Sequence, residues 1–189
     1  MKEILEAFLI ENGLSQKATE RLCFDWSTPR KIKKNDYLLK VDQQKTFLYF
    51  ICSGCIAVIV EGEKKDVVLG FGYQGSLVTE FVSFAMGTPA KNALIAVTDC
   101  TVLQLRKDKL QMLLDKDLEV GKWYRNLLEN TLAGHLKRQI ELTTLTPKER
   151  YRVFLGRSGH LVNAIPLKMI SSYLNMAQET LSRVRKDIS

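Results

Sequence analysis

Histidine is nearly missing from this 189-residue sequence: His135 and His160 are the only two, and both fall in its C-terminal part. No Walker-type phosphate loop, Gly-x-Ser-x-Gly elbow or His-Glu-x-x-His motif occurs. With no nucleophile constellation legible around either histidine, the inventory argues against an enzyme and calls for no cofactor. Haem ligation has little to draw on for the same reason. Cysteine is sparse as well, at positions 23, 52, 55 and 100. Four cysteines in a chain of this size do not make a secreted disulfide framework. Cys52-Ser-Gly-Cys55 offers two ligands where zinc generally takes four, and two cysteines flanking a turn is the simpler account. Cys23 and Cys100 are free to lie near one another in the fold. Long apolar runs are also wanting, and no stretch approaches the ~20 residues that span a bilayer. Met1 to Glu11 carries Glu3, Glu6 and Glu11 and reads as a short amphipathic segment, not a signal peptide. The expectation is a soluble, cytoplasmic protein without a membrane partner.

What is present is a globular composition, 46% apolar and 26% charged, with a formal charge of +7. That excess is unevenly placed. From Thr146 onward eight Lys and Arg stand against Glu149, Glu179 and Asp187, so the last quarter holds +5 of the +7. A polyanion-binding module has this charge distribution, and so does a merely soluble basic surface.

Periodicity divides the chain. Lys2 to Ile10 and Gln16 to Phe24 repeat with the helical period, and Leu14-Ser15 supplies a break and an N-cap. From Thr28 the pattern turns to short β-rich runs: 30–40, 46–71, 73–78 and 92–105. Ser53-Gly54 and Glu61-Gly62 are hairpin turn candidates. Regularly spaced short strands over ~80 residues point to a small barrel or roll and not to a parallel sheet.

Helical patterning returns over Lys109 to Leu114 and then over the longer Glu119 to Leu145. On the longer segment Val120, Trp123, Leu127, Thr131, Gly134, Leu136 and Ile140 share a surface that needs a partner. That partner is either the same stripe of a second subunit, with Gly134 allowing close approach, or the chain's own domain. Thr146-Pro147 then caps and opens a new helix, PKERYRVFLG. The expected divisions are 1–118, 119–145 and 146–189.

The stretch Pro166 to Ile188 reads as two short helices joined by a tight turn. Pro166 suits a first helical position. Leu167, Ile170 and Leu174 fall on one buried face, and Asn175 tolerates the positive φ of a sharp break. Leu181, Val184 and Ile188 form the apolar row of the second helix. Its opposite face carries Gln178, Glu179, Ser182, Arg183 and Lys186, with Arg185 at the edge. This is helix-turn-helix patterning, with the second helix shaped for a major groove. Arg grips guanine O6 and N7, Glu accepts from cytosine N4, and Gln pairs with adenine. Thr180, near the helix start, suits a phosphate contact, and Lys168 of the first helix completes the DNA-binding set. The plainer reading is an amphipathic hairpin with a solvated charged face.

The order of helical lead-in, β-roll, long helix and helix-turn-helix resembles the Crp–Fnr family of bacterial transcription regulators over essentially the whole chain. The most specific segments are LTPKERY at 145–151 and IPLKMISSYLNMAQETLSRVRK at 165–186. They look especially like the Bacteroidetes-type branch. The resemblance implies an α+β chain: an N-terminal cyclic-nucleotide-binding-like β-roll (double-stranded β-helix) with flanking helices, a long dimerisation helix, and a C-terminal winged-helix-like helix-turn-helix. It also implies a homodimer that binds a palindromic promoter site and contacts RNA polymerase, with Gln178, Glu179 and Arg183 reading base edges. Two departures stand out. Many relatives have Ser or Thr at the cap position occupied by Ala177. Only Ser158 to Ile165 is available for a wing, which is therefore expected to be reduced.

In cyclic-nucleotide-binding relatives a Gly-Glu pair holds the ribose, and an Arg about ten residues later grips the cyclic phosphate. In the matching stretch, 75–97, Glu80 fits the glutamate, Thr79 replaces the glycine, and Ala90 stands at the arginine position. Lys91 offers only a point charge in place of the Arg fork. Glu80 and Lys91 are the candidate effector residues, with Glu80 alternatively serving the roll's own hydrogen bonds. The expected effector is not cyclic AMP: either another small molecule or none. A rival in a different class is a regulatory module whose helical tail docks on a partner protein.

Overall fold

The computed structural model describes residues 1–44, 47–63 and 65–188. Thr46 and Lys64, inside the expected strand run 46–71, and Ser189 therefore lie outside the described residues.

Two helices lead in, α1 (Lys2–Glu11) and α2 (Gln16–Phe24), and the Ser15 side chain caps the second by accepting from the Ala18 amide. Among the described residues eight strands follow: β1 (Arg30–Ile32), β2 (Tyr37–Leu39), β3 (Phe47–Ser53), β4 (Cys55–Val60), β5 (Val67–Tyr73), β6 (Leu77–Val78), β7 (Ala93–Ala96) and β8 (Cys100–Arg106). They form two four-stranded sheets, ordered β1-β8-β3-β6 and β2-β7-β4-β5, in which every pairing is antiparallel. The roll expected from the spacing of short strands is present.

Ser53-Gly54 is not a hairpin turn. β3 and β4 belong to different sheets, and the two residues form the corner where the chain crosses between them. Gly54 has φ +88°, and a Cβ there would sit 2.4 Å from the Asp99 carbonyl oxygen, so only glycine fits. Glu61-Gly62 does open a hairpin, since β4 pairs with β5 in register from Cys55↔Tyr73 to Val60↔Val67.

The near-continuous apolar run of β3 and β4 has a simple cause: both faces of each strand are covered. Leu48, Phe50 and Cys52 face the helices α1 and α2, whereas Tyr49 and Ile51 face the space between the sheets. In β4, Ile56 and Val58 turn inward between the sheets, and Cys55, Ala57 and Ile59 turn outward onto the C-terminal helices. The roll is thus a filled layer between two further hydrophobic clusters.

One element had no counterpart in the periodicity: α3 (Phe81–Met86), whose N-terminus is capped by the Glu80 side chain. After it come α4 (Lys107–Lys116) and α5 (Leu118–Thr144), with Asp117 accepting from the Glu119 and Val120 amides. The stripe on α5 divides. Val120 and Trp123 are buried against the chain's own roll, whereas Leu136 and Ile140 are more than half exposed, as is Leu132, which the stripe did not include.

Thr146 is the expected N-cap of α6 (Pro147–Ser158), and with Glu149 it forms a full capping box. A 3-10 turn (Gly159–Leu161) leads to α7 (Leu167–Tyr173) and α8 (Gln178–Lys186). Pro166 is the cap of α7, with ψ 138°, one residue ahead of the first helical position expected for it. Among the described residues no strand lies between α6 and α7, so no hairpin wing is built there.

Candidate nucleic-acid interface and effector cavity

The turn between α7 and α8 is held by the backbone. Asn175 adopts φ +49°, its amide donates to the Ser172 carbonyl, and the Met176 amide donates to the Ser171 carbonyl. Arg150 of α6 donates to the Asn175 carbonyl at 3.3 Å and ties the turn to the preceding helix. Leu181 and Val184 are buried against that frame, so the other side of α8 is turned out. Gln178, Glu179, Ser182, Arg183 and Lys186 are exposed, and Thr180 and Arg185 are half-buried. Leu167 joins Gln178, Glu179, Ser182 and Arg183 around one shallow depression, and the neighbouring Lys168 is exposed. All eight DNA-binding candidates thus lie on α7 or α8. Ala177 makes no side-chain cap bond, as its methyl group requires. The charge gradient along α8, from Glu179 in the first turn to Arg183, Arg185 and Lys186 in the last, also suits the helix dipole.

Several contacts that sequence alone did not reveal dock this unit on the rest of the chain. Ser172 accepts from the Val68 amide at 3.0 Å and donates to the Asp66 carbonyl at 3.2 Å, using backbone groups along the free edge of β5. Phe71 of β5 packs against Tyr173, their ring centroids 5.2 Å apart. Tyr173 also meets Arg138 of α5, whose guanidinium lies over its ring and donates to the Tyr173 carbonyl. Burial lowers the Arg138 pKa, opposed by its contact with Tyr173. Arg157 of α6 donates to the Tyr173 hydroxyl at 3.1 Å and lies 3.5 Å from the Glu141 carboxylate. Roll, long helix and helix-turn-helix therefore meet at one tyrosine.

A second site lies between β5, β6, α3 and α5, a cavity of about 510 Å³. Glu80 reaches its wall but is 2% exposed, accepting from the Ser83 amide at 2.7 Å and from the Asn92 side-chain amide at 2.9 Å. Lys91 is exposed and is not among the residues lining the cavity. Ala90 is fully buried between the two sheets, so the arginine position contributes a methyl group to the core.

The cysteines are all buried and unpaired. Cys100 neighbours Cys55, with its thiol 3.3 Å from the Cys55 carbonyl, while Cys23 sits in the separate cluster beneath α1. Burial, with Cys100 adding to it, pushes the Cys55 thiol up to about 12. Among the described residues no three His, Cys, Asp or Glu side chains are grouped to hold a metal. No helix there is long and apolar enough to cross a membrane.

Residues 29–117 match the family model of the cyclic nucleotide-binding domain. No curated protein matches the chain by sequence. Among solved structures, FixK2 from Bradyrhizobium japonicum is 17% identical with TM-score 0.74, over 85% of this chain and 83% of its own. The regulator CLP of Xanthomonas campestris, described as c-di-GMP responsive, is 18% identical with TM-score 0.67, over 92% and 91%. The Catabolite Activator Protein of Thermus thermophilus is 18% identical with TM-score 0.59, over 96% and 86%. These neighbours are Crp–Fnr regulators, and the α+β order of roll, long helix and C-terminal helices is theirs.

Proposed function

For a chain with a cyclic nucleotide-binding domain and the architecture of the Crp–Fnr regulators, we propose sequence-specific binding of double-stranded promoter DNA as a homodimer. The observation that carries this reading is the outward, polar and basic side of α8, presented on a helix whose apolar side is fully engaged. Glu179 and Arg183 read base edges, with Gln178 and Ser182 beside them. Thr180, Lys168, Arg185 and Lys186 meet the phosphates. The molecule divides into a sensing roll at 1–118, a long helix at 119–145 and a reading head at 146–189. Its role is binding, not catalysis, and its place is the cytoplasm with the chromosome.

The exposed row Leu132, Leu136, Ile140 on α5 supports the homodimer, since three large side chains four residues apart are otherwise left in water. A two-fold pair of reading heads matches a palindromic site with half-sites about 10 bp apart. Contact with RNA polymerase follows from the Crp–Fnr resemblance. The roll acts as the sensor, for an effector other than cyclic AMP.

Selection from a pool of random duplexes by the purified protein tests the reading. A two-fold symmetric motif is expected. Recovery without any enriched motif would replace it with the protein-docking module.

A further inference from the structure

We infer that the cavity between the roll and α5 takes an uncharged, mainly apolar small molecule and not a cyclic nucleotide. This deepens the sensing role proposed above and rests on it. The ligand class follows from what lines the space. Leu48, Phe71 and Leu77 from the roll face Tyr124, Leu127 and Leu128 from the long helix. At about 510 Å³ the space falls within the range of small-molecule sites.

An anion is poorly served there. Among the described residues no Lys or Arg lines the cavity, and Glu80, the acid on its wall, is itself buried. Its two oxygens are engaged by the Ser83 amide and by Asn92, so it serves the start of α3 and the neighbouring loop. The position that supplies a phosphate-gripping arginine in cyclic-nucleotide-binding relatives is Ala90, packed at zero exposure among the residues between the sheets. A guanidinium there would have to displace core, so the loss is built into the packing. A desolvated phosphate placed against Glu80 and apolar walls has no guanidinium or ammonium to offset its dehydration. The polar side chains on the wall, among them Ser76, Thr79, Asn92, Thr131 and His135, suit one or two hydrogen bonds to a neutral ligand at the edge of an apolar body.

The test uses the full-length protein and N-phenyl-1-naphthylamine, an uncharged apolar fluorophore. Saturable fluorescence enhancement is expected at roughly one probe per chain. Thr131→Trp on α5 and Leu69→Trp on β5 fill the cavity from opposite sides, and each is expected to weaken probe binding by about tenfold or more. Circular dichroism checks that each variant folds, and either folded variant alone suffices. Cyclic AMP at millimolar excess is expected to displace no probe. Absence of saturable binding, binding indifferent to a folded filling variant, or displacement by cyclic AMP would each overturn the inference. Duplex selection on the same preparation separates the two claims. Motif enrichment without probe binding sinks the cavity assignment alone, whereas probe binding without any enriched motif supports the cavity and sinks the regulator reading.

Discussion

The guanidinium of Arg138 lies over the ring of Tyr173, its carbon 3.5 Å from the centroid. Another neighbour of that ring is Phe71, a residue that also lines the cavity. A chain of contacts thus runs from the cavity through β5 to α7 of the reading head, and on to the long helix. Arg138→Ala is expected to cost about 1–2 kcal/mol, the range of a partly desolvated cation–π pair with its hydrogen bond. In a protein of this size that lowers the melting temperature by ~2–8 °C. Arg138→Lys is expected to recover little, because an ammonium does not stack. Thermal denaturation of the two variants checks this, and a wild-type melting temperature in Arg138→Ala would contradict it.

The capping box at the start of the reading head makes a pH-dependent prediction. Hydrogen bonds from the Thr146 hydroxyl and then the Thr146 amide hold the Glu149 carboxyl below the usual glutamate range. A depressed carboxyl contributes stability that is present above its unfolded-state pKa and is lost as pH falls through the folded value. Thr146→Ala is therefore expected to lower the melting temperature by ~2–4 °C at neutral pH. The gap should narrow below the ordinary glutamate range, where the wild type loses the hydroxyl-to-carboxylate bond that the variant lacks at every pH. Melting curves across that range decide it, and a gap that widens in acid would refute the assignment.

All four thiols should be inert in the folded protein. Burial pushes Cys23 up to about 11, with Glu6 adding to it, and burial also raises Cys52 and Cys100. A thiol held that high supplies almost no thiolate near neutral pH. Titration with an aromatic disulfide reagent should show no rapid reaction natively and four thiols after denaturation. Rapid native reaction of Cys52 or Cys55 would reopen a redox role for the Cys-x-x-Cys pair.

Leu136→Arg places a cation in the middle of the exposed row on α5, where Leu136 is 57% exposed. In the homodimer it is expected to halve the sedimenting mass and to weaken operator binding without unfolding the subunit. An unchanged mass would move the dimer interface elsewhere.

Much of this was legible in the sequence because local rules and tertiary demands agree there. Ser15, Thr146 and Asn175 each sit where their side-chain chemistry or φ preference puts them. The 3.6-residue period of Leu181 and Val184 already separated the buried side of α8 from the outward one. What sequence hid was non-local. Ser53-Gly54 has the composition of a hairpin turn, but the strands it joins pair with other strands, and only the close approach of Asp99 reveals the corner. The α5 stripe is one continuous pattern in sequence, yet the roll covers Val120 and Trp123 and stops short of Leu136. Ser172 and Arg138 carry no local signal at all, since their partners lie 104 and 35 residues away.

The central claim is that α8 reads bases, and paired substitutions on the selected operator address it most directly. Arg183→Ala is expected to cost about 1–3 kcal/mol on the cognate site and to relax preference at one base pair of each half-site. Lys186→Ala is expected to weaken every sequence alike and to reduce the salt slope by about one per subunit. If both variants keep wild-type affinity, specificity and salt dependence, α8 does not read the DNA.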